Sequence, residues 1–190
     1  MRGRAVLFGA LMAVTATAGA QGIFSFDDVP IASEPTIEVN MGPEMLSLFG
    51  EAAKGAAGEA ANALEGVTNV RVLVYEDIAE DMQDVIRFVD ATATKLEGDG
   101  WHAVVRIREE GEQVRVYMKP GTGGTLAGVT VMLTDSGGDG GGREAMFINV
   151  AGAIQPAQLG QIASTVGMNG VFSGMPGLPA QGAAAKGPQD

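Results

Sequence analysis

Apolar and polar residues alternate most regularly in WHAVVRIREEGEQVRVYMKP, residues 101–120, with Glu110-Gly111 at the centre. Period-two alternation on both sides of a glycine-containing turn predicts a β-hairpin. Pairing Arg108 with Gln113 gathers Trp101, Ala103, Val105 and Ile107 with Val114, Val116 and Met118 on one apolar face. The other face then carries His102, Val104, Arg106 and Arg108 with Arg115, Tyr117 and Lys119, and Arg106 lies across from Arg115. A second hairpin is expected from Leu126–Thr134 and Glu144–Val150, joined by the loop DSGGDGGG.

Upstream, the periods alternate between two and 3.6. Thr36-Ile37-Glu38-Val39-Asn40 predicts a short strand. Pro43 suits a first helical position. Met45, Leu46, Leu48, Phe49, Ala52, Ala53, Ala56, Ala57, Ala60 and Leu64 continue a helix, which Gly50, Gly55 and Gly58 weaken by about 1 kcal/mol each. NVRVLVYE, residues 69–76, is β-branched and reads as a central strand. Asp77 and Glu80 form a capping-box-like start for a helix with Ile78, Met82, Val85, Val89 and Leu96 inward, stopped by Gly98 and Gly100. Pro156 opens a last helix with Leu159, Ile162, Ala163 and Val166 inward. The order β-α-β-α-β-β-β-β-α predicts an α+β domain, a mostly antiparallel sheet with helices packed on one face. Residues 21–35 read as a loose lead-in, 36–167 as the single domain, and 168–190, rich in Gly, Pro and Ala, as a disordered tail.

The succession VRVLVYE, GWHAVVRIRE, VRVYMKP, LAGVTVMLTD and EAMFINVAGAIQPAQLGQIA resembles the bacterial family called domain of unknown function 4252, over roughly residues 36–167. The resemblance implies an exported bacterial protein with work in the cell envelope, and it supplies no catalytic residues.

Export is also read from the first twenty residues. Arg2 and Arg4 precede a short apolar run, Ala5–Val14, and the segment closes on Ala18-Gly19-Ala20, which predicts signal-peptide cleavage before Gln21. The run is broken by Thr15, Thr17 and Gly19, too early for a spanning helix of about 20 apolar residues. A periplasmic or secreted protein with no transmembrane segment after cleavage is therefore expected. Without the leader, ten basic residues face 23 acidic ones, a net charge of −13. A chain this acidic repels a phosphate backbone, so nucleic acid is not an expected partner.

The chemistry-bearing residues are few. There is no cysteine and one histidine, His102, inside a strand, so thiolate chemistry and a conventional zinc site are not expected. The glycine-rich segments KPGTGG and DSGGDGGG lack the Lys-Ser or Lys-Thr of a phosphate-binding loop. No cofactor is implied. Glu76, Asp77, Glu80, Asp81 and Asp84 could together hold a divalent cation, which is the basis of an alternative reading as an enzyme of unrecognised type. Acids at a helix start are also favoured by the helix dipole alone. The leading expectation is a non-enzymatic binding protein. Its candidate surface is Arg106, Arg108, Arg115, Tyr117 and Lys119, suited to an anionic ligand or an acidic protein.

Overall fold

The computed structural model describes residues 22–56, 64–78, 82–109, 111–137 and 143–159. The expected leader, the expected tail and most of the expected last helix lie outside the described residues, as do Glu80 and Asp81. The elements are β1 (Ile37–Met41), α1 (Pro43–Ala56), β2 (Val67–Glu76), α2 (Met82–Gly98), β3 (His102–Glu109), β4 (Glu112–Pro120), β5 (Leu126–Asp135) and β6 (Glu144–Ile154). A single 3-10 turn, Pro156–Gln158, begins where the last helix is expected. The strands form one antiparallel sheet in the order β1-β2-β6-β5-β4-β3. The architecture is α+β: among the described residues, six antiparallel strands and two helices.

Because neighbouring strand residues point to opposite faces, the sheet feeds two cores. One is aromatic: Leu73 and Tyr75 of β2, Phe147 of β6, Met132 of β5 and Tyr117 of β4 pack with Met82, Val85, Val89, Ala93 and Leu96 of α2. The other is aliphatic: Val70, Val114, Val116, Val129, Val131, Ile148 and Val150 pack with Leu46 of α1 and Leu159. The two helices thus serve opposite faces, which corrects the expectation that they share one. Side-chain alternation along β2 explains it, since Val70 faces α1 while Leu73 and Tyr75 face α2.

Residues 22–31, part of the stretch read as a loose lead-in, form a strap against the aromatic face. Phe26 is buried with its ring 5.1 Å from that of Phe147, and Phe24, Val29 and Ile31 pack beside it. Asn149, fully buried on β6, holds the strap. Its Oδ1 accepts from the Phe24 N–H at 3.1 Å, and its Nδ2 donates to Gly22 O at 3.2 Å and Thr130 Oγ1 at 2.8 Å. Asp27 adds an ion pair to Arg71 at 2.6 Å. Strap and sheet touch at glycine: a Cβ on Gly128 would lie 2.5 Å from Gly22 O and 2.8 Å from the Trp101 ring. An apolar strand can bury an asparagine only when its amide is satisfied, and here the strap and Thr130 satisfy it.

A candidate anion site on the β3–β4 hairpin

The site begins at the end of α2. Gly100 has φ +80°, and the Trp101 N–H donates to Leu96 O while the Gly100 N–H donates to Glu97 O. These two bonds are a Schellman stop, accompanied by the burial of Leu96 and Trp101 in one cluster. The turn sends the chain straight into β3 and leaves Glu97 beside the hairpin.

The hairpin register matches the expected one from Val105 onward: Arg106 lies opposite Arg115, Arg108 opposite Gln113 and Glu109 opposite Glu112. A bulge between Ala103 and Val105 shifts the rest, pairing Ala103 with Tyr117 and His102 with Met118. Trp101 and Ala103 therefore sit in the aromatic core, on the arginine side, and not on the valine side where strict alternation places them. A bulge inserts one residue without a partner and so flips every side chain before it.

The face expected to carry an open row of basic residues is the one that α2 covers. Tyr117 is fully buried, and its hydroxyl donates to Glu97 Oε1 at 3.1 Å. Glu97 also pairs with Arg106, and Asp90, seven residues earlier on α2, pairs with Arg115. Lys119 lies over the Trp101 ring, 5.8 Å from its centroid. The like-charged pair Arg106–Arg115 is thus relieved by two helix acids. Neither was singled out in the sequence, although Asp90 and Glu97 stand two turns apart and share one side of α2.

Arg108 differs. It is exposed, and among the described residues it enters no ion pair; its contact is to Gln113 Oε1 at 3.3 Å. The same Oε1 accepts from Arg115 at 3.4 Å, so one amide oxygen steadies two guanidinium groups. Arg106, Ile107, Arg108, Gln113 and Arg115 line an open depression of about 250 Å³. Two oriented guanidinium groups and an open space beside them can receive a carboxylate or phosphate through paired N–H donors.

Other candidates are placed apart from this depression. His102 is exposed on the opposite side of the bulge. Of the acids considered for a cation, Glu76, Asp77 and Asp84 are described, and Asp84 pairs with Arg87. Among the described residues no group of three or more His, Cys, Asp or Glu is placed to hold a metal ion. The sheet's aliphatic side ends in a row of acids, one from each of five strands. Glu76 faces Glu144, Glu144 faces Asp135, Asp135 faces Glu112, and Glu112 faces Glu109. Partial burial, with Glu76 and Asp135 nearby, pushes the Glu144 carboxyl above its ordinary range.

Residues 32–162 match the family model described as Domain of unknown function (DUF4252). The chain belongs to that family. No curated protein and no solved structure matches it. No helix among the described residues is long and apolar enough to cross a membrane.

Proposed function

We propose that this domain is a non-catalytic binding module of an exported envelope protein, and that it captures an anionic group at the β3–β4 hairpin. The observation that carries the reading is Arg108: an exposed guanidinium, steadied by Gln113 beside Arg115, at an open depression and with no described carboxylate partner. An exposed arginine with an acidic neighbour has little to offer a ligand; one oriented by a neutral amide keeps its charge and most of its donors. Arg115 and Arg106 contribute positive potential while also fixing α2 through Asp90 and Glu97, and Tyr117 helps hold Glu97 in place. The envelope location rests on the leader-like pattern of residues 1–20, and the mass of the exported form, expected to start at Gln21, checks it.

Titration with inorganic phosphate and with acetate, read from the Nε–H resonances of the arginines by NMR, tests the site. A saturable shift at Arg108 is expected, absent at Arg87, which pairs with Asp84 on α2. Replacing Arg108 by Gln should weaken the binding about tenfold, the worth of one charge-assisted contact. Shifts that are equal at Arg87 and Arg108 and do not saturate would remove the reading.

A further inference from the structure

The hairpin turn determines which backbone groups of β3 face outward. Glu109 and Glu112 are partners across a two-residue connection, so they must exchange both of their backbone hydrogen bonds. Alternation along an antiparallel pair then makes Ile107–Val114 and Val105–Val116 hydrogen-bonded pairs, while Arg108–Gln113 and Arg106–Arg115 are not. The N–H and C=O groups of Arg106 and Arg108 accordingly point away from β4. β3 is the last strand of the sheet, so among the described residues no strand meets them.

Arg106 and Arg108, whose outward backbone groups meet no strand among the described residues, are also two of the five residues that line the arginine depression. On the other side of the strand, Ile107 is 38 % exposed and Glu109 begins the row of acids. Backbone donors, guanidinium groups on one side and an apolar residue followed by acids on the other describe a template with alternating preferences.

We propose that β3 accepts, as a seventh strand, an extended segment of a partner protein with acidic side chains at alternate positions. The inference rests on the anion-site reading and names its occupant. Strand addition supplies affinity through main-chain bonds, and the alternating side chains supply selectivity. Residues one apart on the added strand face opposite sides, so acids at alternate positions meet Arg106 and Arg108, and the intervening residues pass Ile107 and avoid Glu109. A second copy of this chain pairing β3 to β3 would set arginine rows side by side, which disfavours it.

The probe is an acetylated and amidated peptide of nine residues alternating Glu and Thr, at millimolar concentration, with amide exchange followed by NMR. The backbone amides of Arg106 and Arg108 should exchange rapidly in the free protein and at least about tenfold more slowly with peptide, as hydrogen-bonded amides do. Replacing each Glu of the peptide by Gln, or Arg108 of the protein by Gln, should weaken binding about tenfold. Methylating alternate peptide nitrogens on the bonding edge should abolish the protection. If phosphate and peptide both shift the Arg108 side chain while its amide stays unprotected, the anion site stands and strand addition is wrong. If neither shifts it, both are wrong. Amides already protected in the free protein, together with a dimer in sedimentation, would assign the edge to a second copy and overturn the proposal.

Discussion

The two faces of this sheet are built from different chemistry. The aliphatic face is lined by Val70, Val114, Val116, Val129, Val131, Ile148 and Val150, side chains that need no partner beyond close contact. The opposite face holds Phe24, Phe26, Tyr75, Phe88, Trp101, Tyr117 and Phe147, every described aromatic except the exposed Phe49. It also carries polar contacts that have to be matched one by one: Asn149 to the strap, Arg71 to Asp27, Tyr117 and Arg106 to Glu97, Arg115 to Asp90. Beside these pairs Arg108 stands apart, an arginine with no acid partner among the described residues.

The contrast can be broken most strongly at Phe147, whose ring meets those of Phe26, Tyr75 and Phe88 at 5.1, 6.3 and 5.9 Å. Phe147→Ala should cost about 3–5 kcal/mol in urea denaturation. On the aliphatic face, Val116→Ala removes two buried methyl groups and should cost about 2 kcal/mol. Equal losses at the two sites would mean that the aromatic face is not the more demanding one.

Asn149→Ala comes next, at about 2–3 kcal/mol, because it strands the Phe24 N–H and the Gly22 carbonyl. The diagnostic is local: exchange at the Phe24 amide should accelerate more than exchange in β4. A uniform acceleration would show that the strap is no separate element.

At the acidic end of the aliphatic side the sign is reversed. The Glu144 carboxyl is pushed up by burial and then by Glu76 and Asp135, so the folded state binds its proton more tightly than the unfolded state does. Stability therefore falls as pH rises from the ordinary carboxylate range through the raised value. Glu144→Gln should stabilise the domain by about 0.5 kcal/mol at pH 7, and the advantage should vanish below the unfolded-state value. Urea midpoints of both proteins across pH 3–8 check it, and a destabilised variant at pH 7 would contradict it.

The strands, the hairpin register near its turn and the family resemblance were legible because period-two alternation and ordered segments are local properties. Three features were not. The bulge at Ala103–Val105 leaves no trace in apolar alternation, so Trp101 was expected beside the valines and belongs among the aromatics. The choice of face for α1 depends on tertiary packing, which its own periodicity does not contain. The strap was hidden because Phe24 and Phe26 stand among Gly, Ser and Asp, a composition that resembles a linker until Asn149 gives its backbone a partner. At the candidate depression, Arg106, Arg108 and Arg115 of the five expected residues are in the lining and Tyr117 and Lys119 are not, and which arginine pairs with an acid was not legible. That depends on where α2 places Asp90 and Glu97.

On the hairpin, Arg115 serves the fold and Arg108 the ligand, and a paired measurement on two substitutions separates these roles. Stability in urea and affinity for inorganic phosphate should be determined for Arg115→Gln and Arg108→Gln side by side. Arg115 is largely covered, with 14 % of its side chain exposed, and pairs with Asp90, so its loss should cost about 1 kcal/mol of stability. Arg108→Gln should leave stability within about 0.3 kcal/mol and weaken phosphate binding about tenfold. If Arg108→Gln destabilises the fold more than Arg115→Gln does and leaves phosphate binding unchanged, Arg108 is a structural residue and the account of this face is wrong.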